Sequence, residues 1–188
     1  MRLFIGLPLT STACEELANV TSSCKPTVEG FRWTSPGAWH ITLQFLGNTK
    51  PERLLCLAST LRGLNFPAIP VQMGELSFFE RAGALVVEVF PSPELVALQV
   101  AVVQATVPCG FVPEERSFRP HITLARSKNK SAVQAKRTFE TIPQKAPTFS
   151  PFVAGEFRLY ESFLGTNGSR YEVRERFLLD TSLRSSVG

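Results

Sequence analysis

The tetrapeptide His-Ile-Thr-Leu stands twice in the chain, at His40–Leu43 and at His121–Leu124, and these two copies hold both of its histidines. On a β-strand alternate side chains face opposite ways. Each copy therefore sets an imidazole and a hydroxyl on one face, His40 with Thr42 and His121 with Thr123, and its Ile and Leu on the other. If an approximate two-fold relates the two strands, both His-Thr pairs line one cleft. Two imidazoles and two hydroxyls around a shared centre suit in-line phosphoryl chemistry without a metal. A neutral histidine can take a proton from water as it attacks phosphorus, and an imidazolium can protonate the departing alkoxide. The hydroxyls can donate to the non-bridging oxygens. Histidine suits both jobs because its ordinary pKa is about 6.5.

The competing readings are weaker. A single HITL is ordinary strand text, and a repeat can mark a duplication without chemistry, but two copies that absorb every histidine are hard to assign to strand composition. A metal site needs more ligands than two histidines, and no carboxylate sits at ligand spacing beside either. No metal or other cofactor is expected. The chain has no GxSxG elbow of the nucleophilic hydrolases.

The chain has 188 residues, 44% hydrophobic and 19% charged, with a net charge of +4. A buried core is feasible and global disorder is not. The mild basic excess suits a polyanionic partner such as RNA. The short apolar run in "MRLFIGLPLTSTACEE" is broken by Pro8, so no signal peptide is read, and no apolar run is long enough to span a bilayer. The four cysteines (Cys14, Cys24, Cys56, Cys109) form no CxxC pair and suggest no disulfide framework, so a reduced cytoplasm is expected.

The elements that must carry the two words are legible. "RLFIGLPL", "WHITLQFLG" and "FRPHITLARS" read as strands, and "VEGFRWTSPGAW" as a short strand followed by a Ser-Pro-Gly turn. "TSTACEELANVTSSC", "PERLLCLASTLRGL" with Pro51 at its start, "SPELVALQVAVVQATVP" with Ser92 as cap, and "SAVQAKRTFETI" read as helices. One hairpin forms around Arg81-Ala82-Gly83, from "VQMGELSFFE" to "ALVVEVF". A second forms around "GTNG", from "FVAGEFRLYESFL" to "SRYEVRERFLL", and the tail "TSLRSSVG" is expected to fray. Hairpins among alternating strands and helices predict an α+β fold with antiparallel or mixed sheets. The chain reads as two similar halves, each with a helix, a HITL strand and a hairpin, joined without a linker into one unit spanning 1–188. Strict alternation sends Phe45 to the core with Trp39, Ile41 and Leu43. It also sends Arg126 to the face opposite His121, unless the strand ends or bulges there.

Two H-x-T-L words about eighty residues apart resemble the signature of the two-histidine (2H) phosphoesterase superfamily, and more narrowly its LigT-like branch, the RNA 2′,3′-cyclic phosphodiesterases once named 2′-5′ RNA ligases. "RLFIGLPL", "FRWTSPGAWHITLQFLG", "CGFVPEERSFRPHITLAR" and "FRLYESFLGTNGSRYEV" resemble family blocks in the expected order. The resemblance implies a bilobal, pseudo-two-fold fold, two sheets with flanking helices around a central cleft, and one motif per lobe (40–43 and 121–124). It implies metal-independent hydrolysis of a terminal 2′,3′-cyclic phosphate to a 2′-phosphomonoester, with His40 as proton donor and His121 as proton acceptor. Thr42 and Thr123 would hold the phosphate, and Arg126 matches a family arginine. The partner implied is RNA or a nucleotide with a 2′,3′-cyclic phosphate end, without a membrane, and the chain is expected to act as a monomer. The same centre would serve a small nucleotide, such as an ADP-ribose cyclic phosphate or a 2′-5′ oligoadenylate. A non-catalytic RNA-binding protein is the reading from a different class. Phe4, Trp33 and Tyr160 read as core more than as stacking platforms. Arg32, Arg119 and Arg158 flank the strands as candidate phosphate contacts, and Ser162 falls in a family block without an assigned role.

Overall fold

The computed structural model describes residues 1–27, 29–128, 132–142, 148–165 and 168–180. The elements follow the order β1 (Arg2–Pro8), α1 (Ser11–Cys24), β2 (Phe31–Trp33), β3 (His40–Asn48), α2 (Arg53–Arg62), β4 (Ile69–Val71), β5 (Met73–Phe79), β6 (Ala84–Val89), α3 (Pro93–Thr106), β7 (His121–Ser127), α4 (Ala132–Glu140), β8 (Phe152–Ala154), β9 (Glu156–Gly165) and β10 (Gly168–Leu178). The helix starts obey their capping signals. The Thr10 hydroxyl accepts from Ala13 N–H at 3.3 Å and the Ser92 hydroxyl from Leu95 N–H at 3.2 Å, with Pro93 in the first turn where no N–H is missed. Gly83 closes the first hairpin with φ of 55°, a conformation that favours glycine. The segment read as one strand from Phe152 is broken at Gly155, and β8 leaves to pair with β4. The tail from Thr181 and the middle of the GTNG turn lie outside the described residues.

The fold is α+β, and its main sheet has eight strands in the order β10-β9-β1-β3-β7-β6-β5, with β2 on β7. Every strand pair in it is antiparallel. Two four-stranded halves meet where β3 and β7, the strands bearing the two words, pair through Ile41 and Ile122. The hairpins are exchanged between the halves. The β5–β6 hairpin, which follows the first word in sequence, builds on β7, and the β9–β10 hairpin, which follows the second, builds on β1. Each word is thus framed by a hairpin from the other half of the chain.

The face away from the cleft is the core. Leu3, Ile5 and Leu7 of β1, Ile41 of β3 and Ile122 and Leu124 of β7 are at most 1% exposed, and they share one apolar cluster with Leu17 of α1, Leu57 and Leu61 of α2 and Leu95, Leu98 and Val102 of α3. That continuous cluster ties the helices to both halves of the sheet.

The cysteine expectation is corrected. Cys56 of α2 and Cys109, just past α3, form a disulfide with a Cα–Cα distance of 5.7 Å. Their 53-residue separation follows no framework spacing; only the packing of α2 on α3 brings them together. Cys14 and Cys24 stay as thiols, pushed up from their ordinary range by burial and so unreactive. Thiol titration of the denatured, unreduced protein should therefore find two free groups and not four, and reductant should lower stability by about 2–4 kcal/mol in a urea titration.

Candidate active site

Both histidines face one cleft of about 1420 Å³, together with Thr42, Thr123 and Arg126. An antiparallel register centred on Ile41 and Ile122 sets His40 across from Thr123 and His121 across from Thr42. Each imidazole thus works beside the other word's hydroxyl as well as its own. The rings are fixed in the same manner. His40 Nδ1 donates to the Ala38 carbonyl at 2.8 Å and His121 Nδ1 to the Arg119 carbonyl at 2.7 Å, each two residues upstream. With Nδ1 occupied, the tautomer is set and Nε2 is the nitrogen left for chemistry.

Arg126 reaches this face because β7 bulges. Opposite β6, Ala125 pairs with Leu85 and Thr123 with Val86, so Leu124 is the extra residue. The bulge shifts the parity of everything after it. Ala125 is buried, and Arg126 turns to the cleft, close enough to depress the pKa of both histidines. The first word bulges at the equivalent residue. Gly6 pairs with Thr42 and Ile5 with Gln44, leaving Leu43 as the extra residue. Here the alternation expectation fails in the same way. Gln44 turns inward, where its Oε1 accepts from the buried Thr106 hydroxyl at 3.0 Å, and Phe45 turns into the cleft, 56% exposed. The carbonyls displaced by the bulges are both satisfied: that of Leu43 by the Gln99 amide at 3.4 Å and that of Leu124 by Thr34 N–H at 2.7 Å.

The two imidazoles have unequal neighbours. His40 lies 4.5 Å from the Phe4 ring, which stacks on Tyr160 at 4.9 Å, and Tyr171 meets His40 edge-on at 5.2 Å. Gly6 makes the room: a Cβ there would stand 2.9 Å from the Ile41 carbonyl oxygen and 3.3 Å from His40 Cδ2. His121 lies 4.8 Å from Phe79, whose other neighbour is the Arg119 guanidinium at 4.4 Å; Arg119 also pairs with Glu88 at 3.4 Å. Phe4 and Tyr160 are buried as the sequence suggests, yet Phe4 forms cleft wall. Arg32, Arg119 and Ser162 line the cleft. Arg158 does not; it is held by Glu156, with Nε to Oε1 at 2.6 Å. Tyr171, Phe79, Arg81 and Arg2 also line the cleft and were not singled out from sequence. Phe79 and Arg81 could have been found from their place at the predicted hairpin turn. Tyr171 and Arg2 carry no local signal, since strand pairing alone aims them.

Burial pushes the His40 pKa down to about 4, opposed by the Ala38 carbonyl and helped by the neighbouring His121, whose protonation would compete with that of His40, and by the Arg126 guanidinium. His121 is lowered too, first by burial and then by Arg126 and Arg119, with the Arg119 carbonyl and Glu88 opposing. Both rings are therefore neutral in the free protein at neutral pH.

An α+β fold with two equivalently held imidazoles facing one cleft is the architecture expected of a two-histidine phosphoesterase. The model of the 2′-5′ RNA ligase superfamily matches residues 13–162, and the chain belongs to that superfamily. An RNA 2′,3′-cyclic phosphodiesterase of Geobacillus stearothermophilus is 27% identical over 152 residues, 78% of this chain and 48% of that protein, so the chain spans about half the length of that relative. An RNA 2′,3′-cyclic phosphodiesterase of Methanocaldococcus jannaschii is 27% identical over 179 residues, covering 92% of this chain and 98% of that protein. The crystal structure of E. coli LigT in apo form is similar with a TM-score of 0.78 and 25% identity, over 96% of this chain and 98% of that chain. Among the described residues no helix is long and apolar enough to cross a membrane.

The depressed histidines make stability depend on pH. Below about pH 6.5 the unfolded chain takes up protons that folded His40 refuses until about pH 4, so stability falls as pH falls through that window. The slope per histidine approaches about 1.4 kcal/mol per pH unit. Urea midpoints between pH 7 and pH 4.5 should decline less for His40→Gln than for the unsubstituted protein.

Proposed function

We propose that this protein hydrolyses a terminal 2′,3′-cyclic phosphate on RNA to a 2′-phosphomonoester, without a metal. The observation that carries the reading is the pair of imidazoles, each anchored through Nδ1 to a carbonyl and each offering Nε2 to one cleft. In the proposed reaction His121 Nε2 takes a proton from a water molecule attacking phosphorus. The P–O3′ bond breaks, and the His40 imidazolium gives its proton to O3′ as that oxygen leaves. Thr42 and Thr123 donate to the non-bridging oxygens, and the Arg126 guanidinium offsets their charge in the transition state. The names of the relatives support the substrate class. The +4 net charge and the arginines of the cleft favour a polyanion. The whole described chain would work as one bilobal unit and as a monomer.

A cytoplasmic location belongs to the same proposal. A bonded Cys56–Cys109 pair in protein taken from cells would overturn that location, and a reduced pair would uphold it.

His40→Ala and His121→Ala should each lower turnover of RNA ending in a 2′,3′-cyclic phosphate by about 10²–10⁴-fold, with chelator present throughout. Turnover that survives both changes would remove the two-histidine mechanism, and loss of turnover on chelation would point to a metal. Small cyclic nucleotides and 2′-5′ oligoadenylate, assayed in parallel, separate the substrate classes.

The pH profiles give a second test. A bound phosphodiester anion favours imidazolium, so it raises pKa values that burial holds low in the free protein. The bell of kcat/KM, set by the free enzyme, should lose activity on its basic side below pH 6.5. The basic limb of kcat should lie at higher pH. Coincident limbs would contradict this account of the acid.

A further inference from the structure

The cleft continues past the reacting centre along β1 and β3. Three alternate cross-strand pairs share its face of the sheet: Gly6 with Thr42, Phe4 with Phe45, and Arg2 with Asn48. The bulge at Leu43 keeps Phe45 on this face. A second shift between Phe45 and Gly47 leaves Leu46 as the extra residue and brings Asn48 to the same face as Arg2. On β9, Ser162 lies two residues beyond Tyr160, the partner of Phe4, and so beside Arg2. Arg2, Asn48 and Ser162 line a cavity of about 620 Å³ with Gly47 and Phe163; Arg2, Gly47 and Ser162 also line the main cleft, so the two are continuous. Gly47 has φ of 65° and open space where a Cβ would stand, so its backbone does not narrow this end.

The chemistry of this end is that of an anion site. Arg2 is exposed, and among the described residues its guanidinium has no ion-pair or hydrogen-bond partner. Beside it stand an amide and a hydroxyl, both able to donate. The nearest carboxylate on β9, Glu161, is buried and taken by Arg174 Nε at 2.7 Å. By contrast, Arg170 at the far side of Phe163 is already paired with Glu172. At about 3.4 Å per residue, Arg2 stands about 14 Å of backbone from Gly6, and a leaning arginine side chain shortens the gap. The order along the strand pair is then phosphoryl centre, aromatic face, cation.

We infer that Arg2, with Asn48 and Ser162, forms a subsite for the phosphodiester backbone 5′ of the reacting nucleotide, so that the protein prefers an RNA end to a lone nucleoside cyclic phosphate. The inference rests on the hydrolytic reading above and gives Ser162 a role. Phe45 sits between the two anion sites, where an unstacked base can lie on its ring.

The test compares two substrates, adenosine 2′,3′-cyclic phosphate and a 5′-phosphorylated diadenosine ending in the same cyclic phosphate. The unsubstituted protein should show a kcat/KM at least about tenfold higher for the second, as charge-assisted hydrogen bonds to phosphate provide. In Arg2→Gln that ratio should fall toward one through KM, and Arg2→Lys should keep part of it. A ratio within one preparation is independent of how much of it is folded. A ratio unchanged by Arg2→Gln, or absent from the outset, overturns the subsite and leaves the hydrolytic reading in place. Binding of the 2′-phosphate product of the diadenosine, followed by calorimetry, separates the opposite case. Binding weakened by Arg2→Gln in a protein that turns over neither substrate upholds the subsite and overturns the hydrolytic reading.

Discussion

The pairing of Ile41 with Ile122 is the contact on which the rest of the site depends. It joins two half-sheets at the middle of the two repeated words, and it buries both isoleucines completely. Because the strands run antiparallel, each histidine flanking that pair is brought across from the threonine of the other word. A displacement of one residue would turn each imidazole to the core. The apolar cluster that runs behind both strands holds the register against such a slip. The polar quartet in the cleft is a consequence of this buried contact.

From this near-symmetry the structure departs in graded ways. Both words bulge at the leucine after the threonine, and both carry the residue two places further on into the cleft. In one word that residue is Phe45, and in the other it is Arg126. One side of the centre is therefore aromatic and the other cationic. The supports of the imidazoles differ in the same sense, with Phe4 and Tyr171 around His40 and with Phe79, Arg119 and Glu88 around His121. A two-fold frame thus holds an asymmetric site.

The exchange of hairpins explains why two small half-sheets behave as one cleft. Each half-sheet is completed by strands from the other half of the chain, so neither can form without the other. Tyr171 comes to His40 on one exchanged hairpin and Phe79 to His121 on the other. The Cys56–Cys109 bond adds a covalent tie between α2 and the end of α3, whose Gln99 and Thr106 meet the bulged segment of β3.

Much of this was legible from sequence, because local rules govern it. Alternation places His40 beside Thr42 and His121 beside Thr123 on any strand, and capping chemistry at Thr10 and Ser92 fixes where two helices begin. The α+β class was legible in the hairpins among strands and helices, and the family in the resemblance of the two words and the blocks around them. Alternation fails where the tertiary fold inserts a residue. Nothing within HITLQF or HITLAR announces a bulge, since it is set by the partner strands β1 and β6 and by the groups that take up the freed carbonyls, Gln99 and Thr34. Those two bulges turn Phe45 and Arg126 to the cleft and bury the Gln44 side chain. The disulfide, the exchanged hairpins and the alignment of Arg2 with Asn48 and Ser162 likewise join residues far apart in the chain. The sequence determined which chemical groups the protein owns and which face of a strand each begins on. Long-range pairing decided which of them meet, because register is a property of two strands and not of one.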